Sequence, residues 1–238
     1  MDQAVDWVIT TAKKSPRSCE FVVTPNADHA LILQENAGLR SAYKDASLVI
    51  ADGWPVVIAS RLLGRPLAER VTGSDLVPSV FAAASSGDPL RVYLLGAGPG
   101  VAARAAKVIE GRYPGVRVVG AYGPPFGFER DAAENERILE GIRVASPELL
   151  LVGLGAPKQE LWVHTHRDRI DAAVALCIGA TIDFLAGEKA RAPRLMQKLG
   201  LEWFHRAMTE PRRLVPRYAR NAVEFPKLVY REWQSHRR

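Results

Sequence analysis

Cysteine is nearly missing from these 238 residues, with only Cys19 and Cys177 present. Both lie in or beside apolar strand-like runs, which argues against a disulfide-stapled scaffold and predicts two buried, reduced thiols. Long apolar runs are missing too. The longest, Ala172 to Ile182, stops at Asp171 and Asp183 and is too short to cross a bilayer. The start, Met1-Asp2-Gln3-Ala4-Val5-Asp6, has no basic cluster and no apolar core behind it. It predicts a cytosolic chain without a signal peptide. No Asp-x-Asp occurs, and no His, Cys and Asp cluster has metal-ligand spacing. Without a metal, a departing phosphate would rely on Lys, Arg or backbone N–H groups.

What is present is an ordinary globular composition, 47% hydrophobic and 24% charged, which excludes wholesale disorder. The charge is unevenly placed. From Lys189 to Arg238 there are 13 Lys or Arg against 4 Glu, a net of +9, whereas the first 188 residues carry a net of −3. A basic tail on a mildly acidic body points to an anionic partner: a nucleotide diphosphate, an anionic membrane or nucleic acid.

Two short runs end on polar residues that can do chemistry. Glu20-Phe21-Val22-Val23 leads into Thr24-Pro25-Asn26, and Leu48-Val49-Ile50-Ala51 leads into Asp52-Gly53. Runs of this kind read as buried strands, and ligands of α/β sheets sit outside the carboxyl ends of strands. Thr24 and Asp52 are therefore expected at the mouth of one crevice. Asp52 also suits a plain Asp-Gly turn. Asn26 is a candidate cap for a helix through Gln34, another helix is expected over 37–46, and residues 56–63 read as helix. Residues 70–75 read as a polar loop before a helix over 76–85. Further strands are expected at 91–95, 116–121, 149–153 and 173–178, alternating with helices over 101–112, 131–144 and up to 167. That alternation predicts an α/β fold with a doubly wound, mostly parallel, Rossmann-like sheet.

The tail has its own pattern. Leu214, Tyr218, Ala222, Phe225, Val229 and Trp233 fall within an arc of about 100° on a helix, with Arg213, Arg217, Arg220, Glu224, Lys227 and Arg231 on the far side. Pro216 is tolerable near the start, whereas Pro226 is expected to kink or break the helix. The stripe suits packing on its own body, on a neighbouring subunit in a homo-oligomer, or on lipid.

Gly96-x-Gly98-x-Gly100 follows a strand, yet position 101 is Val101 where the dinucleotide fingerprint needs its third glycine. That disfavours an oxidoreductase. The segment Gly153-Leu154-Gly155-Ala156-Pro157-Lys158-Gln159-Glu160 is more specific, combining close backbone approach with an amide suited to a nucleobase edge. His29 reads as a polar residue on a helix surface, and His164 and His166 as solvated. A nucleic-acid-binding protein using the basic tail is the alternative from another class, but the body carries no helix-turn-helix or RNA-binding signature.

Taken together, Thr24-x-Asn26, Ala51-Asp52-Gly53, Arg70-Val71-x-Gly73-x-Asp75, Leu154-Gly155-x-Pro157-Lys158-Gln159-Glu160, Arg191-Ala192-Pro193, Gly200-Leu201-Glu202-Trp203-x-x-Arg206 and Glu210-Pro211-x-Arg213 stand in one order. In this the chain resembles the WecG/TagA/CpsF glycosyltransferases over roughly residues 20–225. The resemblance implies an inverting, metal-independent enzyme that moves a sugar from a UDP-sugar to a polyprenyl-diphosphate-linked saccharide, with no cofactor and no nucleic acid. It implies a catalytic domain over 1–188 and a basic helical appendage over 189–238 that meets the inner face of the cell membrane and closes the active site. Asp52 matches the general base and Thr24 its partner. Asn26, Arg70, Gly153, Gln159 and Glu160 match substrate-binding positions, and Arg206, Arg213 and Arg217 are the tail arginines suited to the leaving diphosphate. Pro216 departs from the pattern, since arginine is common there, and Arg212 or Arg217 would have to substitute.

Overall fold

The computed structural model describes residues 1–14, 18–198 and 200–235. Six parallel strands form one sheet: β1 (Glu20–Val23), β2 (Leu48–Val49), β3 (Leu90–Gly96), β4 (Val116–Tyr122), β5 (Leu149–Gly153) and β6 (Val174–Cys177). Their spatial order is β2-β1-β6-β5-β3-β4. Successive strand side chains point to opposite faces, and here both faces are apolar. Val22, Leu94, Leu151 and Leu176 enter one core, while Val23, Leu95, Val152 and Cys177 enter the other. Burial on both sides explains why these strands read as continuous apolar runs.

Helices follow as α1 (Asp2–Ala12), α2 (Ala27–Glu35), α3 (Ala37–Asp45), α4 (Trp54–Leu62), α5 (Gly73–Ala83), α6 (Val101–Arg112), α7 (Ala132–Ala145), α8 (Lys158–His166) and α9 (Thr181–Leu185). The C-terminal part adds α10 (Arg194–Lys198), α11 (Glu202–Thr209) and α12 (Pro211–Ser235). Helices α1, α5, α6 and α9 cover the first core, and α7 and α8 the second. The doubly wound α/β architecture expected from the alternation is the one observed.

Four local expectations change. Helix α1 was not anticipated, although Ala4, Val5, Val8 and Ala12 bury one face at helical spacing. Strand β2 ends at Val49, two residues early. Helix α5 begins at Gly73, inside the expected loop, because the Thr72 hydroxyl accepts from the Asp75 N–H at 3.1 Å and donates to Asp75 Oδ2 at 2.8 Å. Finally, α12 is assigned as one helix through both Pro216 and Pro226. Packing outweighs the missing hydrogen bond at Pro226: Phe225, Leu228 and Val229 sit against Leu31 of α2 and Ala59 of α4. The apolar stripe of the tail is thus seated, in part, on its own body.

Candidate active site

Pairing between β1 and β2 continues past their last residues. The Ile50 N–H donates to the Val23 carbonyl at 3.0 Å, and the Asp52 N–H to the Pro25 carbonyl at 2.8 Å. This alternation sets Asp52 beside Thr24, Pro25 and Asn26, as the two runs predicted. Gly53 has φ +130°, which only glycine adopts readily, and turns the chain from Asp52 into α4. Thr24 is buried, and its hydroxyl donates to the Cys177 carbonyl at 3.0 Å, tying β1 to β6. Asn26 caps α2, its Oδ1 accepting from the N–H groups of Asp28 (3.0 Å) and His29 (3.3 Å).

The neighbouring strand ends approach as bare backbone. A Cβ on Gly96 would lie 2.4 Å from the Gly153 oxygen, and one on Gly153 would lie 2.8 Å from the Gly179 oxygen. Gly153 is therefore part of a floor that admits no side chain at these points.

A buried polar layer supports this floor. His29 is 5% exposed and not on the helix surface as expected. Its Nδ1 accepts from the Asn26 N–H at 3.4 Å, which leaves the proton on Nε2, donated to Glu160 Oε1 at 3.3 Å. The same oxygen accepts from Gln159 Nε2 at 2.8 Å, and Gln159 Oε1 accepts from the Gly179 N–H at 3.1 Å. Gln159 and Glu160 are 2% and 0% exposed, so they support the crevice from within. Their place in the first turn of α8 favours the carboxylate. Among the described residues, Glu160 Oε2 and the Tyr43 hydroxyl are buried without a hydrogen-bond partner. Burial, and then the Glu160 charge, raise the pKa of Tyr43. Lys158 turns away to Glu129 at 3.0 Å. His164 and His166, expected to be solvated, instead pair with Asp45 at 2.7 Å and pack on Trp162 at 5.0 Å between ring centroids. Both find partners because α8 lies against α3 and the second core.

Charged groups complete the surroundings of Asp52. Burial pushes its carboxyl up to about 6; Arg70 and Arg206 pull it back, while Glu202 pushes it further. A ring of four charges joins the body to α11. Arg70 contacts Glu202 at 3.4 Å and Asp75 at 3.8 Å, and Arg191 contacts the same two acids at 3.3 and 2.5 Å. Glu202 and Arg191 stood in the sequence motifs without an assigned role; their pairing across the chain is a tertiary fact. His29 carried a local signal, since an Asn cap followed three residues later by a side chain able to bond back is a capping-box pattern. Of the remaining tail arginines, Arg213 pairs with Glu210 at 2.7 Å and Arg217 with Asp28 at 3.6 Å. The structure thus groups Arg206 with Asp52 and commits Arg213 and Arg217 to other carboxylates.

Chemically, this is a partly buried carboxylate able to take a proton near neutral pH, set among guanidinium groups and backbone at the open ends of parallel strands. Among the described residues, no group of three His, Cys, Asp or Glu side chains is arranged to hold a metal ion, and no helix is long and apolar enough to cross a membrane. Proteins from two Staphylococcus aureus strains, NCTC 8325 / PS 47 and MRSA252, are each 31% identical to it over 214 residues, covering 90% of this chain and 82% of theirs. Both are N-acetylglucosaminyldiphosphoundecaprenol N-acetyl-beta-D-mannosaminyltransferases. Residues 1–238 match the glycosyl transferase WecG/TagA/CpsF family, and with the strand-end carboxylate, the glycine floor and the ordered motifs in place, the chain belongs to that family.

Proposed function

We propose that the chain transfers a sugar from a UDP-sugar to a saccharide carried on polyprenyl diphosphate, in the assembly of a cell-surface polysaccharide. The reaction named for the Staphylococcus relatives makes N-acetylmannosamine the first donor sugar to try, and N-acetylglucosamine on undecaprenyl diphosphate the first acceptor. The observation that carries this reading is Asp52, a carboxyl held at about 6 where two paired strands open, with Arg70 and Arg206 close enough to act on its charge. Asp52 takes the proton of the acceptor hydroxyl as that oxygen bonds to the anomeric carbon. The bond to the diphosphate oxygen breaks on the opposite side, so the configuration inverts and UDP leaves.

No metal takes part in this reading; Arg70 and Arg206 meet the diphosphate charge, and the further tail arginines Arg213 and Arg217 join them only on leaving Glu210 and Asp28. Thr24 and Asn26 position the substrates, and Gly153, Gln159 and Glu160 shape the donor pocket. Residues 1–188 form the catalytic part and 189–238 an appendage that docks on the inner membrane face and completes the site.

The deciding experiment is a panel of UDP-sugars with a lipid-diphosphate acceptor, run with and without EDTA. Transfer from one donor that persists in EDTA is the expected result. Strict dependence on a divalent cation overturns the metal-free step. No transfer from any UDP-sugar overturns the reading itself.

A further inference from the structure

Helix α4 starts two residues after Asp52 and carries an apolar stripe that much of the fold leaves open. Trp54, Ile58 and Leu62 recur every fourth residue and so stack on one face; they are 39%, 52% and 63% exposed. The opposite side already satisfies the core, with Val57 and Ala59 buried and Ala59 set against Phe225 and Leu31. Arg61 on α4 and Arg65, just after the Gly64 turn that follows it, are exposed, and among the described residues neither has an ion-pair partner. The stripe also reaches the C-terminal part, because a Cβ on Gly200 would come within 2.6 Å of the Trp54 ring. Trp203 and Phe204 follow there, 51% and 47% exposed.

An apolar helix face flanked by unpaired arginines, with an indole at its end, has the chemistry of a segment lying in a bilayer interface. The arginines select anionic lipid. The tail stripe cannot supply this contact in full, since Leu214 and Phe225 are buried on the body. We propose that α4 is a bilayer-contacting element: Trp54, Ile58 and Leu62 enter the acyl boundary, Arg61 and Arg65 meet lipid phosphates, and Asp52 is thereby held at the depth of a lipid-linked acceptor. This rests on the glycosyltransferase reading above.

The test exploits the two buried native cysteines. An environment-sensitive fluorophore is attached to Ile58→Cys, to Val223→Cys on the tail and to Lys107→Cys on α6, in the full chain. Each is titrated with phosphatidylcholine vesicles containing phosphatidylglycerol. The expected result is brighter, blue-shifted emission at position 58 and none at 107. In co-sedimentation, the double variant Ile58→Glu with Leu62→Glu partitions onto the same vesicles at least about tenfold more weakly than the parent chain. A silent label at 58 beside a responsive one at 223 overturns the α4 proposal and leaves tail docking standing. Silence at both positions overturns membrane docking altogether, while activity in the UDP-sugar panel is read separately. Equal responses at 58 and 107 mean unoriented adsorption and also overturn the proposal.

Discussion

On the body side of the crevice, Thr24, His29, Gln159 and Glu160 are all at most 6% exposed and make buried hydrogen bonds. On the tail side, Arg191, Glu202, Glu210 and Arg213 hold one another through ion pairs whose members keep 17% to 60% of their side-chain surface. Buried hydrogen bonds cost most when one partner is removed and respond little to salt. Ion pairs that keep part of their surface in water are weaker and are screened by salt. The body side is therefore built to hold a geometry, and the tail side to adjust charge. Asp52 stands where the two meet.

The largest expected effect falls on that shared residue. Asp52→Asn lowers transfer by about 10³-fold, within the range for loss of a general base, and leaves UDP binding in place by calorimetry. The same variant melts at a higher temperature. Between 3.8 and about 6 the folded chain binds a proton that the unfolded chain does not, so ionised Asp52 costs stability at neutral pH. Removing the charge recovers up to about 3 kcal/mol. A fall in melting temperature counts against this account of the site.

Next in size is Arg206→Ala, expected to lower turnover by about 10²-fold as one leaving-group donor is lost. It also moves the acidic limb of the pH–rate profile upward, since Arg206 draws the Asp52 carboxyl down. An unmoved limb would separate Arg206 from Asp52. His29→Leu probes the body side: Glu160 keeps one donor of two, and stability falls by about 2–3 kcal/mol in urea unfolding, equally at low and high salt. A loss that vanishes in high salt would erase the contrast between the two sides. The smallest effect is that of Glu202→Gln. Losing this negative charge lowers the acidic limb from about 6 by less than about one unit, and added salt shrinks the shift.

The centre of the sheet was legible because its inner strands are buried on both faces, which leaves runs such as Leu149-Leu150-Leu151-Val152 with no competing reading. Thr24 was legible because it follows such a run directly, and Asp52 because it closes the short apolar run that continues past the edge strand β2. Helix α1 is hard to see in the sequence because its buried face is built largely of alanine and valine between polar residues. Pro226 misled because local backbone preference takes no account of Phe225 and its neighbours packing on α2. The Arg70, Asp75, Arg191 and Glu202 ring lies beyond local reading altogether, since two of its contacts join residues more than a hundred positions apart. Chain spacing carries no sign of that meeting.

The glycines at the strand ends have a consequence for descent with modification. Where Gly96 meets Gly153 and Gly153 meets Gly179, a new side chain collides with backbone, so selection has almost nothing to vary there. A lineage built on this frame is expected to vary the loops around the floor and to keep the floor itself. Sequence divergence among such enzymes should therefore gather at the rim, with the glycines left as fixed punctuation.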